Sequence, residues 1–238
     1  MNIQIQTKKP LRKLKANKNL TLSRFRNHKT TVDGKEKYLP VVNNRGPLCV
    51  EYLDKVKTTF DRALEEHPNT TVVMALLRFP REMSDDDIQL LGSDVISRFW
   101  ASLKAQMGPY IFKLEDCYEW SNLRYAWCME GEKQSWRVHY HVALLVNYDV
   151  FKSLGNYGSN QGCLAGLVNE AWARALKRPY EEVSGAVSFP SRPVHYIKTD
   201  ETGNRKGYEE AFRRVSYLTK SATKNFGNHR RHFDCSRG

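Results

Sequence analysis

Eleven residues in mid-chain, Trp136-Arg137-Val138-His139-Tyr140-His141-Val142-Ala143-Leu144-Leu145-Val146, constrain the fold most. Their aliphatic and β-branched content and their length read as a strand that is apolar on both faces. That is the pattern of an interior strand in a sheet with both faces covered. The two histidines are out of place in such a strand. Successive strand side chains point to opposite faces, so His139 and His141 project together while Tyr140 points away. Two imidazoles side by side on a rigid strand make a ready pair of metal ligands. The plainer reading is two core or edge histidines satisfied by their neighbours, and the rest of the chain has to decide between them.

Charge is the next clue. The chain carries 38 Lys and Arg against 26 Asp and Glu over 238 residues, a formal net charge of +12. A balance this basic favours polyanionic partners, nucleic acid first and an anionic membrane surface second. The apolar runs 72–77 and 142–146 fall far short of the roughly 20 residues a spanning helix needs, so no membrane partner is expected. The basic N-terminus lacks the apolar core of a signal peptide. Five cysteines, scattered and without a C-x-x-C pair, argue against a disulfide framework or a structural zinc site. A cytoplasmic location is the simplest expectation.

Residues 1–30 hold nine Lys or Arg, among them Lys8, Lys9, Arg12 and Lys13, and no acid. A block of one sign repels itself, so residues 1–47 read as an extended, mobile arm and linker whose cations could track a DNA backbone. A merely solubilising tail is the other reading. The folded domain is expected over 48–238.

Leu53, Val56, Phe60 and Leu64 share one face of a helix that ends near Pro68, and residues 70–79 read as a buried strand. Ser84 followed by Asp85, Asp86 and Asp87 marks a helix start, continued by Ile88, Leu91, Val95, Phe99 and Leu103 up to Gly108-Pro109. Strands are expected at 110–114 and 123–130, the latter forming a hairpin with the histidine strand. A helix over 164–176, strands at 186–189 and 194–198, a last helix over 207–224 and a basic tail complete the chain.

On that last helix Arg213, Tyr217, Lys220 and Lys224 fall at spacings of four, three and four, which sets a phenol in a row of cations. Such a row suits a phosphate, and a tyrosine with a pKa near 10 needs nearby positive charge to act as a nucleophile. A solvated basic face with an incidental tyrosine is the alternative. Glu130, at the end of the strand preceding the histidines, is the natural carboxylate to complete a metal site, with Glu132 in the turn as fallback.

The stretch Arg124-Tyr125-Ala126-Trp127-Cys128-Met129-Glu130 followed by His139-Tyr140-His141-Val142-Ala143-Leu144-Leu145-Val146-Asn147 resembles the inovirus gene-two-type replication proteins, the YagK/YfjJ C-terminal domain family. The resemblance continues through Glu170-Ala171-Trp172, Ser216-Tyr217-Leu218-Thr219-Lys220 and Phe233-Asp234-Cys235-Ser236-Arg237-Gly238, and it covers roughly residue 72 to the C-terminus. These proteins look like HUH endonucleases. The resemblance therefore implies an α+β fold, with a central antiparallel sheet of about five strands flanked by helices. It also implies His139 and His141 as paired ligands of Mg or Mn, Glu130 as the third ligand, Tyr217 as nucleophile and Lys220 as its aid. The implied activity is a site-specific nickase of single-stranded DNA that initiates rolling-circle replication through a 5'-phosphotyrosine. No G-x-x-x-x-G-K-[ST] stretch occurs, so helicase and polymerase would come from the host. The rivals are a non-catalytic DNA-binding regulator on the same fold and a metal phosphodiesterase that uses water.

Overall fold

The computed structural model describes residues 11–15, 17–32, 35–42, 44, 46–114, 117–131, 137–222, 224 and 231–237. In chain order come β1 (Arg12–Leu14), β2 (Asn17–Ser23), β3 (Asn27–Val32), β4 (Lys35–Pro40), β5 (Leu48–Cys49), α1 (Val50–Glu66), β6 (Thr70–Leu77), α2 (Asp85–Leu90) and α3 (Val95–Phe112). These are followed by β7 (Arg124–Glu130), β8 (His139–Asn147), α4 (Leu164–Ala175), α5 (Tyr180–Val183), β9 (Val187–Ser188), β10 (Val194–Thr199) and β11 (Arg205–Lys206). Last are α6 (Tyr208–Val215), a 3-10 turn (Ser216–Thr219) and β12 (Phe233–Cys235).

The histidine strand β8 is interior, as its composition demands. The main sheet is antiparallel and runs β11-β10-β6-β8-β7-β12, with β9 also on β6. Described strands number seven, against the five or so expected, because short edge pieces add to the long strands β6, β7, β8 and β10. One face of β8, through Tyr140, Val142, Leu144 and Val146, packs with α3 and α4. Its other face, through Ala143 and Leu145, packs with α1 and α6. His139 and His141 lie on this second face, because they share the parity of 143 and 145.

Three elements differ from the sequence reading. Residues 110–114 form no strand, because α3 runs on to Phe112 through Pro109. A proline forfeits one helical hydrogen bond, but α3 buries Val95, Phe99, Trp100, Leu103 and Met107, and that packing outweighs the loss. The single helix expected after Ser84 is two. Its capping box is as expected, with Asp87 N donating to Ser84 Oγ at 3.1 Å, but Gly92 at φ +74° ends the first piece. The helix expected over 207–224 stops at Val215 and tightens into the 3-10 turn.

The expected mobile arm also differs. β1, β2 and β5 form a three-stranded sheet, and β3 pairs with β4 as a hairpin. Counting cations missed the apolar face of these segments. Leu20 and Leu22, like Leu39 and Val41, are spaced by two, and all four are buried. Leu39, Val41 and Leu48 belong to the same core as α1 and α6. Of the arm's named cations, Arg12 and Lys13 are exposed on β1, while Lys8 and Lys9 lie outside the described residues.

Candidate metal centre and tyrosine

The register of the β7–β8 hairpin builds the cluster. Glu130 pairs with His139 and Cys128 with His141, so all four side chains emerge on one face at the end of the sheet. Glu130 Oε2 lies 3.3 Å from His141 Nε2 and 3.8 Å from His139 Nε2. One ligand atom from each of the three residues fits within 4.8 Å of the others. The carboxylate is buried, while the His139 and His141 side chains remain 34% and 19% exposed, so the set opens toward solvent through its imidazoles. Two borderline nitrogen donors and one hard oxygen donor suit a divalent ion and leave positions free for a further ligand.

Tyr217 arrives from the other end of the chain. It sits in the 3-10 turn after α6, where residues i and i+3 eclipse, so Lys220 lies directly against it. The Lys220 ammonium donates to Tyr217 Oη at 2.5 Å, lies 4.0 Å from that ring's centroid, and is 3.0 Å from Glu130 Oε2. The Tyr217 and His141 ring centroids are 5.2 Å apart. The phenol from one end of the chain and the imidazoles from its middle therefore share one charged network, as their order in the sequence suggested.

A family model described as the YagK/YfjJ C-terminal domain matches residues 29–236. The chain belongs to that family. It is 32% identical over 196 residues to the uncharacterized protein YfjJ of Escherichia coli K12, across 79% of this chain and 94% of that one. It is 29% identical over 199 residues to the uncharacterized protein YagK of the same strain, across 80% of this chain and 94% of that one. No solved structure matches. The family match begins in β3, so the family domain includes part of the segment read from sequence as an arm outside it.

In this family member the electrostatics favour a charged carboxylate. Burial alone would raise the Glu130 pKa, but hydrogen bonds from His139 and His141 and from the Lys220 ammonium together hold it well below the usual carboxylate range. Burial lowers the His141 pKa against the pull of Glu130. That leaves neutral imidazole, the form that binds metals. Burial would lower the Lys220 pKa, but its bonds to Tyr217 and Glu130 raise it, so it stands as an ammonium beside the phenol.

Other expected site residues fall elsewhere. Arg213 is exposed on α6. Lys224 is not on a cationic outer row. Its ammonium is buried and donates to the carbonyls of Leu218 and Lys220 at 2.7 and 2.5 Å, because the helix that would have pointed it outward has already ended. Glu132 lies outside the described residues. The sequence reading missed Cys128, whose thiol donates to Glu130 Oε1 at 3.8 Å and whose pKa burial pushes up to about 12. Its position two residues before Glu130 was the available signal.

Proposed function

We propose that this chain is an HUH-type nickase and strand-joining enzyme that acts on single-stranded DNA at a replication origin. The observation that carries the reading is the Lys220 ammonium, which bridges the Tyr217 hydroxyl and the Glu130 carboxylate of the histidine cluster. An incidental surface tyrosine would have no reason to stand there. Glu130, His139 and His141 would hold Mg or Mn, which when bound supplies positive charge that polarises the scissile phosphate. Lys220 stabilises the phenolate character that Tyr217 develops as its oxygen bonds to phosphorus. The bond from phosphorus to the 3' oxygen breaks, and the phenol proton goes in net balance to that oxygen. A free 3'-hydroxyl and a 5'-phosphotyrosine result. Reversal by a 3'-hydroxyl rejoins strands, as rolling-circle initiation requires. The exposed cations Arg213, Arg12 and Lys13 would contact DNA phosphates, and a host helicase and polymerase would extend the released end.

The test is to incubate the protein with single strands and MnCl2 and to look for a denaturation-resistant protein–DNA band, followed by peptide sequencing. The expected adduct is on Tyr217, and Tyr217→Phe reduces it to background. Cleavage without an adduct would instead indicate water as nucleophile. Binding without cleavage would indicate a regulator.

A further inference from the structure

We propose that Arg78 binds the first phosphate upstream of the scissile one and so holds the strand segment that leaves with the 3'-hydroxyl. This rests on the nicking reading above and assigns a side of the site to each product. Sheet register places the residue. Leu76 pairs with His141 and Leu77 with Tyr140, so the next residue, Arg78, comes level with His139. Leu76 also pairs with Ser188 of β9 and Leu77 with Val187, and Arg78 N carries that ladder one step further by donating to Ala186 O at 2.8 Å. Alternation along the strand then points Arg78 to the face of Leu76 and His141. Its guanidinium agrees, because it donates to the hydroxyl of Ser188, the partner of Leu76, at 2.9 Å.

Charge and direction give the residue its role. Arg78 is exposed and forms no ion pair among the described residues. Two other arginines near this end of the sheet are already neutralised, Arg137 by Asp85 at 3.1 Å and Arg231 by Asp234 at 2.7 Å. Neighbouring strands lie about 4.8 Å apart, so the remaining N–H donors of the Arg78 fork stand one strand from the histidines and suit a phosphate. The cations also flank the imidazoles. Lys220 reaches Glu130 on β7 and holds the Tyr217 hydroxyl on that side, whereas Arg78 follows β6, with β8 and its two histidines between them. In an in-line displacement the entering and leaving oxygens lie on opposite sides of phosphorus. A phenol entering from the β7 side sends the 3' oxygen toward β6, where Arg78 meets the phosphate of the departing segment. The same contact keeps the 3'-hydroxyl in place to attack the phosphotyrosine in the reverse reaction.

A series of single strands, each with one phosphate replaced by an uncharged methylphosphonate, locates the contact. The readout is the initial rate of Tyr217 adduct formation in MnCl2 at subsaturating DNA, taken for each protein relative to the unmodified strand. With the parent chain, the replacement next upstream of the nick should slow the rate roughly tenfold, the worth of a charged hydrogen bond. With Arg78→Ala that ratio should fall below about twofold, while the ratios at other positions stay as in the parent. Arg78→Lys, which keeps the charge but loses the fork, should give an intermediate ratio. A variant that merely folded poorly would lower every rate together and leave every ratio unchanged. An unchanged upstream ratio in Arg78→Ala, or a parent indifferent to that phosphate, would show that Arg78 does not hold the departing segment, and the nicking reading would stand. If the parent forms no adduct with any strand, both fall.

Discussion

Lys224 carries a charge that the sequence assigned to DNA and the fold uses internally. Its ammonium ties the carbonyl of Leu218, the residue after Tyr217, to that of Lys220, and so braces the turn that holds the Tyr217–Lys220 pair. Removing it leaves two buried acceptors without their donor, at about 1–3 kcal/mol each. Lys224→Met should therefore lower the urea unfolding free energy by roughly 2–4 kcal/mol. Arg213→Ala, on the exposed side of α6, should change it by less than about 0.5 kcal/mol. Equal effects of the two would show that Lys224 is not a clamp. At the cluster, the double change His139→Ala with His141→Ala removes both nitrogen donors. Calorimetric titration with MnCl2 should then show a loss larger than the roughly 10–100-fold that deleting an outer-shell partner costs. Unchanged Mn binding would take the ligand role from these residues. The site residues were legible because each obeyed a local period, two along the strands and three within the turn. The role of Lys224 was not, because it depends on where a helix stops.

The turn that holds Tyr217 is also gripped from the N-terminal side. Val42 N donates to Ser216 Oγ at 3.0 Å, Ser221 N donates to Pro47 O at 2.9 Å, and Leu48 forms a β-bridge with Lys220. The segment between β4 and α1 thus packs on the candidate site's turn, though the sequence reading made it the end of an arm and linker over 1–47. Sequence alone made β6, β7, β8, α1 and α4 plain, since each buries a periodic face against a layer whose existence β8 already implied. It did not reveal β12, a three-residue strand whose pairing with β7 is decided by partners more than a hundred residues away in the chain. Nor did it place the end of α3, where Pro109 argued locally for a stop that packing overrode. Leu39, fully buried in the core shared with α1 and α6, tests whether this segment is structural. Leu39→Ala should cost about 2–5 kcal/mol in guanidinium unfolding, where a mobile arm would give no change.

At the scale of the whole molecule, a net charge of +12 makes protonation costly, because each added proton joins an already positive body. Two histidines distant from the metal cluster bear on this. Burial lowers the pKa of His67 from its usual 6.5, and the Nε2 of that ring accepts a hydrogen bond from Asn122 N at 3.0 Å. Burial likewise lowers the pKa of His195, with the Arg214 charge adding to the effect and Glu210 opposing it. Both rings are held neutral in the fold, while in the unfolded chain they take up protons as pH falls through about 6.5. The unfolded state then binds more protons, so stability is full above that pH and is lost as pH falls toward the lowered folded values. Each such histidine contributes a slope of up to about 1.4 kcal/mol per pH unit within that window. Urea midpoints measured from pH 7.5 to 5.5 should therefore decline. In His67→Gln, whose amide oxygen can accept from Asn122 N without titrating, the decline should be shallower by as much as one proton's worth. A parent protein whose midpoint holds steady across that range would mean that these rings titrate alike in both states, and that burial at His67 does not exclude the proton.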